Sequence, residues 1–267
     1  MRIIVFVAIF FTFASLFSQT ENKLSVFEAQ LLSDYNNILK KDPFKRDMYA
    51  WDFYETFAEI LHNEETFEYE FSTLNKIGSI LSFDKSLRII TWNIPVGINE
   101  NLYFGIVQYY GHKSETLRVV KLNDREKENL HGNNLEWHGA LYYEVVTTKH
   151  DGQMYYTLLG FSFNDAVSNK KVIDILSINE LDELYFCKDM IFYDNRIVDR
   201  LEFIYNEKAT MSLRYDAKDK VIIFDHLSPS KPSLEGKFEF YGPDFTYDAL
   251  KFDKGIWQHI TNIGITN

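Results

Sequence analysis

Residues 140–161 read ALYYEVVTTKHDGQMYYTLLGF and contain two strand-like runs on either side of an Asp-Gly pair. Tyrosine, valine, threonine and phenylalanine are frequent in both runs, and these side chains favour the pleated, half-buried surface of a sheet. Asp151-Gly152 suits a two-residue hairpin turn, because both residues tolerate the positive φ angles that such a turn requires. The stretch therefore predicts two antiparallel strands joined by a tight turn.

The same pattern of short strands and turns continues in both directions along the chain. Further turn signals lie at 194–195, 206–207 and 254–255, with similar ones at 84–85 and 216–219. No long helical pattern separates the strand-like runs, so a parallel βαβ sheet is disfavoured. The runs are 68–72, 77–83, 87–94, 102–110, 116–122, 140–148, 153–161, 171–178, 183–186, 190–193, 197–205, 210–215, 221–224, 237–241, 247–252 and 256–260.

Upstream of residue 66, apolar residues instead recur at steps of three and four, which is typical of a helix with one buried face. Pro43 separates two such stretches, because proline cannot continue the first helix. The pattern predicts a helical hairpin. The first stripe consists of Leu24, Phe27, Leu31, Tyr35 and Ile38, and the second of Ala50, Phe53, Phe57 and either Ile60 or Leu61.

Together these patterns predict a mainly β (α+β) fold. We expect an antiparallel multi-stranded meander, arranged as a sandwich, a barrel or a propeller-like assembly, preceded by an N-terminal helical hairpin. The expected organisation is a signal peptide at 1–18, the hairpin at 19–66 packed on the sheet, and an antiparallel β domain at 67–267. The charged, irregular stretch at 122–134 could subdivide that domain.

The composition excludes several classes of protein. The chain has 267 residues, of which 46% are hydrophobic, 16% aromatic and 25% charged, with a net charge of −11. So many bulky side chains exclude a disordered chain, and the single cysteine, Cys187, excludes a disulfide scaffold. The acidic balance, without clustered lysine and arginine, argues against a partner that is a nucleic acid.

The N-terminus predicts export. Arg2 precedes an apolar run at 3–17, and a polar end follows around Ser18 and Gln19, as in a secretory signal. The run is short for a spanning helix, although an uncleaved N-terminal anchor is the alternative. We expect a periplasmic or secreted protein that does not insert into a membrane after cleavage of the signal.

Several longer motifs resemble a pattern found in uncharacterised exported proteins of Bacteroidetes-type bacteria. The resemblance implies kinship and export, and it supplies no catalytic residues because no activity is assigned to that group. The motifs are YYTLLGF at 155–161, NKKVIDIL at 169–176, ATMSLRY at 209–215, FDHLSP at 224–229, YGPD at 241–244, YDA at 247–249 and KGIW at 254–257.

One motif suggests acid–base chemistry. His226 follows Asp225, but neighbours along a strand point to opposite faces, so the two cannot form a triad with a third residue from regular β structure. His226 could work as general base and acid with Asp225, Asp244 or Asp248 in a hydrolase. Asp244 and Asp248 could also help to hold Ca²⁺, although turn formation is the simpler interpretation. No cofactor is predicted.

A second motif contains metal-ligand residue types. Glu136 and His138 share a face if residues 135–140 are extended, and His131 precedes them. The three could form a zinc site with one open position. The simpler interpretation is a solvated glutamate and a hydrogen-bonded histidine beside Trp137.

The aromatic residues are the third set of candidates. Tyr142, Tyr155 and Trp257 lie in strand-like runs and Trp137 lies just before one, so an exposed row of these rings could stack on sugar rings or on a partner protein. The alternative is that both faces are covered, by the core on one side and by the helices on the other.

The leading prediction is an exported, non-enzymatic binding or structural module of the cell envelope, with an unknown glycan or envelope protein as its partner. The alternative is a hydrolase of envelope material that uses His226 with a nearby carboxylate. An enzyme requires these groups to converge in one pocket, whereas a binding module requires an exposed aromatic surface.

Overall fold

The computed structural model describes residues 23–111, 113–123 and 137–264. The chain divides into two compact units, Met1–Lys76 and Ile77–Asn267, here called the N-terminal unit and the β unit. The predicted signal peptide at 1–18 and most of the predicted dividing stretch at 122–134 lie outside the described residues. In the described part of the chain, no helix combines the length and the apolar character needed to cross a membrane.

The N-terminal unit contains the predicted helical hairpin. Helix α1 covers residues 23–39, and helix α2 is Arg46–Ile60. Between them Pro43–Lys45 forms a single 3₁₀ turn, and the Arg46 side chain donates to the carbonyl of Leu39 at 2.7 Å. This bond satisfies a carbonyl that the end of α1 would otherwise leave without a partner. Phe27 of the first predicted stripe is only partly buried. The other predicted positions are buried, namely Leu24, Leu31, Tyr35, Ile38, Ala50, Phe53, Phe57 and Leu61.

The strand predicted at 68–72 is not formed. The buried carboxylate of Glu28 on α1 accepts hydrogen bonds from Tyr69 Oη at 2.7 Å and from both the hydroxyl and the amide of Thr73. Phe71 packs edge-on against Phe57 at 5.4 Å. These contacts with the helices outweigh the β-propensity of the aromatic side chains.

The described residues of the β unit form three sheets, and most of their strands match the predicted runs closely. Their bounds are β1 Gly78–Leu81, β2 Leu87–Gly97, β3 Glu100–Tyr110, β4 Leu117–Asn123, β5 Leu141–His150, β6 Gln153–Phe163, β7 Ser168–Ile178, β8 Leu184–Phe186, β9 Ile191–Tyr193, β10 Arg196–Val198, β11 Leu201–Asn206, β12 Leu213–Asp216, β13 Val221–Pro229, β14 Tyr241–Asp253 and β15 Ile256–Ile260.

Sheet I has the strand order β1-β2-β3-β4. Sheet II has the order β11-β7-β6-β5, with β8 also paired to β7. Sheet III has the order β10-β9-β15-β14-β13-β12. The pairs are antiparallel except for β9 with β15, which are parallel. The hairpin turns at 151–152, 194–195 and 254–255 have positive φ angles at both residues, so these predicted turns are confirmed.

Sheet II is the middle layer of a sandwich. Leu158 belongs to a core shared with sheet I residues such as Val107, whereas its neighbour Leu159 belongs to a second core shared with sheet III residues such as Ile222. Adjacent residues of a strand point to opposite faces, so both faces of sheet II are covered by other sheets. This explains why residues 172–178 are buried without alternation.

Two predicted strands differ from the structure. The run at 197–205 divides between β10 in sheet III and β11 in sheet II, because the chain leaves one layer for the other at Asp199 and Arg200. The run at 237–241 contains a 3₁₀ turn at Phe238–Phe240. The side chain of Asn206 donates to the carbonyl of Glu239 in this turn, which keeps the segment out of the sheet.

Candidate functional site

An open groove of about 460 Å³ lies at one end of sheet III. Its volume falls in the range of small-ligand sites. The groove is bordered by the last residues of β13 and the first residues of β14. The apolar part of its lining consists of Pro229, Phe240, Tyr241 and Pro243.

The close pairing of β13 with β14 shapes the groove. Ser228 pairs with Gly242, and Pro229 pairs with Tyr241. A Cβ atom added to Gly242 would lie 3.7 Å from the Cβ of Ala209, so the connection between β11 and β12 passes close to the strands. That connection forms the opposite wall of the groove.

Polar groups complete the lining. Asn206 contributes an amide, and Ser228 and Ser230 contribute hydroxyls. Lys208 is the charged residue of the lining. The groove therefore presents apolar surfaces together with neutral groups that can both donate and accept hydrogen bonds.

His226 and Asp244 form a pair beside the groove. His226 Nδ1 and Asp244 Oδ2 lie 2.8 Å apart, and both side chains are partly exposed. Burial alone would raise the pKa of Asp244, but hydrogen bonds from Thr246 and His226 lower it to about 2. His226 lies two residues before the groove residue Ser228 on β13, at the register shift between Asp225 and Leu227.

Asp244 also organises an irregularity in β14. Asp225 pairs with Tyr247 and Leu227 with Pro243, so residues 244–246 stand opposite the single residue 226. Asp244 Oδ1 accepts hydrogen bonds from the amide of Thr246 at 3.1 Å and from its hydroxyl at 2.7 Å. We call residues 244–246 the arch. At its centre Phe245 has a φ of 69° and is 90% exposed.

The other two predicted carboxylates have different partners. Asp225 Oδ2 accepts a hydrogen bond from the amide of Ser212 at 2.7 Å. Asp248 is buried, lies 3.2 Å from His259 Nε2 and accepts from the amide of Asn262. Of the three predicted partners, the structure therefore brings Asp244 to His226.

The predicted aromatic platform is not available to a ligand at the surface. Trp137, Tyr142 and Trp257 are buried, and Tyr155 packs partly buried against the core of sheets II and III. Trp257 donates to the hydroxyl of Thr157 inside that core. The rings are enclosed because the layers on both sides of sheet II use them for packing, which periodicity in a single strand does not reveal.

Phe240 and Phe245 are exposed aromatic residues that the sequence analysis did not single out. Phe240 belongs to a segment predicted as a strand. Phe245 follows Gly242-Pro243-Asp244, where turn-forming residues interrupt the strand pattern. An aromatic residue directly after turn-forming residues was the sequence signal that could have identified Phe245.

The predicted zinc site cannot be assembled from the described residues. His131 and Glu136 lie outside them, and His138 is exposed. Among the residues that the structure describes, no group of three or more potential ligands has a geometry suited to a metal ion.

Comparisons of the chain with protein-family models, with curated proteins and with solved structures returned no match. Three features of the described residues bear on function: the groove, the His226–Asp244 pair and the arch.

Proposed function

We propose that this protein is an exported binding module of the bacterial cell envelope that holds a neutral glycan in the groove at the end of sheet III. The observation that carries the proposal is the lining of the groove. Sugar rings combine apolar C–H faces with hydroxyl groups. Phe240 and Tyr241 offer apolar surface, while Ser228 and Ser230 offer polar partners for hydroxyls.

The charge of the protein favours a neutral ligand over an anionic one. The chain carries a net charge of −11, and Asp244 lies directly beside the groove with a pKa of about 2. A single lysine, Lys208, contributes positive charge to the described lining. An anionic polysaccharide would meet repulsion from the carboxylates.

The support for export is the N-terminal sequence, with its basic start and the apolar run at 3–17. Cys187 is buried in the core of sheets II and III. A fold that relies on packing and not on a disulfide is suited to any compartment, so this feature is compatible with export.

Binding of the mature chain to soluble xylan, mannan and cello-oligosaccharides by titration calorimetry tests the proposal, with alginate as the anionic comparison. We expect a neutral glycan to bind and Phe240→Ala to weaken it about tenfold, which corresponds to about 1.4 kcal/mol. Phe83→Ala is the matched control, because Phe83 is 94% exposed on a turn of sheet I.

The proposal fails if no neutral glycan binds, or if the Phe240 and Phe83 variants bind equally well.

The 2.8 Å contact between His226 and Asp244 favours hydrolysis as a second candidate. A carboxylate can orient a histidine that acts as a general base. One observation argues against hydrolysis. The neighbouring hydroxyl of Thr246 donates to Asp244 and does not face the imidazole, so it is not placed as a nucleophile that His226 could activate. Release of reducing ends from the same glycans by the wild type, lost in His226→Ala, would establish the hydrolase in place of the binding module.

A further inference from the structure

Phe245 combines two unfavourable features. Its φ of 69° lies in the left-handed region, which a bulky side chain rarely adopts. Its ring is 90% exposed, so burial within the chain does not offset the strained backbone. A conformation of this kind persists where the surrounding contacts impose it, and it is found preferentially at ligand-binding sites.

Hydrogen bonds of Asp244 impose this conformation. Asp244 Oδ1 accepts from the amide and the hydroxyl of Thr246, which closes the arch around Phe245. Asp244 Oδ2 contacts His226 Nδ1 at 2.8 Å, which ties the arch to β13. These polar contacts of Asp244, here called the frame, thus hold the aromatic ring outward.

The arch directly follows the groove residues along β14. Pro243 lines the groove and directly precedes Asp244, and His226 lies two residues before the groove residue Ser228 on β13. A ligand that extends from the groove along β14 would therefore approach the arch, which begins at the next residue, Asp244.

We propose that Phe245 is a platform on which a second sugar ring of the glycan stacks, while the second ring nitrogen of His226 hydrogen-bonds a sugar hydroxyl. This inference rests on the proposed function and extends it from a single-sugar groove to a site for at least a disaccharide. The aromatic face supplies contact with the C–H groups of the sugar. The neighbouring carboxylate of Asp244 disfavours an anionic sugar at this position.

Phe245→Gly separates a binding role from a structural one. Glycine adopts a positive φ without strain, so the variant is expected to have a Tm equal to or above that of the wild type. We expect its affinity for the glycan that the wild type binds best, among xylan, mannan and cello-oligosaccharides, to fall about tenfold. The matched control is again Phe83→Ala, which removes an exposed ring from sheet I.

Two outcomes overturn the platform and leave the proposed function standing. One is an unchanged affinity in Phe245→Gly while Phe240→Ala loses affinity. The other is a lower Tm in Phe245→Gly, which would show that the ring stabilises the fold. If the wild type binds none of the glycans, the proposed function fails and the platform fails with it.

A second variant tests the frame. Thr246→Val keeps the aromatic ring and removes the hydroxyl that donates to Asp244. We expect a smaller loss of affinity than in Phe245→Gly, because the ring is still present but less firmly oriented. An equal or larger loss would assign the binding to Thr246 itself and would contradict the platform.

Discussion

Tyr142 on β5 donates a hydrogen bond to Asp174 on β7 at 2.5 Å, although strand β6 lies between them. Gly160 of β6 makes this possible. A Cβ atom there would lie 2.8 Å from Tyr142 Cδ1, so the tyrosine ring occupies the space above the glycine. Burial raises the pKa of Asp174, while Arg200 and the Tyr142 hydroxyl act in the opposite direction. The tyrosine thus supplies a partner to a buried carboxyl between sheets I and II.

Removal of this hydroxyl is expected to destabilise the β unit. In Tyr142→Phe the buried carboxyl of Asp174 loses its closest donor, which costs about 1–3 kcal/mol in the free energy of unfolding. Urea unfolding measures the change. Tyr143→Phe is the control, because the Tyr143 hydroxyl donates to the backbone carbonyl of Leu213 and the residue is more exposed. Equal losses in the two variants would contradict a special role for the Tyr142–Asp174 bond.

Gly160→Ala is expected to be destabilising for a steric reason. The new methyl group would meet Tyr142 at 2.8 Å and Val172 at 2.9 Å, both in a packed core. Overpacking of this kind costs about 1–3 kcal/mol. Gly242→Ala provides the comparison, since its methyl group would meet only Ala209 at 3.7 Å. Thermal unfolding of both variants checks the prediction, which is wrong if Gly160→Ala unfolds at the wild-type temperature.

The arch is expected to weaken in acid. The pKa of Asp244 is lowered from 3.8 to about 2 in the folded chain. A lowered pKa means that the ionised carboxylate stabilises the fold above pH 4, and that this contribution disappears as the pH falls from about 4 to about 2. The Tm difference between wild type and Asp244→Asn should therefore shrink across this window. A difference that stays constant from pH 5 to pH 2 would refute it.

Glu28 is expected to hold the N-terminal unit together. Its carboxylate accepts from Tyr69 at 2.7 Å and from the hydroxyl of Thr73 at 2.7 Å. Glu28→Gln replaces charge-assisted hydrogen bonds with weaker ones, at a cost of about 2 kcal/mol. Faster hydrogen exchange in residues 23–39 would report the loss locally. Gln30→Ala, which removes an exposed contact with Asp34, should leave that exchange unchanged.

Cys187 is expected to be inert in the folded protein. Burial raises the pKa of its thiol to about 12, so the reactive thiolate is scarce at neutral pH. Iodoacetamide should label the cysteine rapidly in urea and very slowly in buffer, as followed by mass spectrometry. Rapid labelling in buffer would mean that the core of sheets II and III opens readily.

Local sequence signals predicted most of the secondary structure. The run predicted at 153–161 is confirmed as part of strand β6, and the turn at 151–152 has the predicted positive φ angles. These features depend on the preferences of residues close together in the chain. The same signals were wrong for residues 68–72, where contact with Glu28 competes with strand formation.

The site was predicted only in part. The choice of His226 identified the position where the arch meets β13, and Asp244 was among its expected partners. The prediction that Trp137, Tyr142 and Trp257 form an exposed platform was wrong, because all three are buried in the core. An aromatic ring on a strand is exposed or buried according to whether another layer packs on that face. The sequence of the strand does not specify which layer that is.

By itself the sequence determined that this chain forms short antiparallel strands after a helical hairpin, because turn residues and side-chain periodicity act locally. The tertiary structure alone decided the stacking of three sheets, since the burial of residues 172–178, which include Asp174 and Ser177, depends on the layers that cover both faces of the strand. It also decided that Phe245 faces solvent. That orientation depends on the contact between Asp244 and His226. These residues are 18 apart in sequence and meet only when β13 pairs with β14.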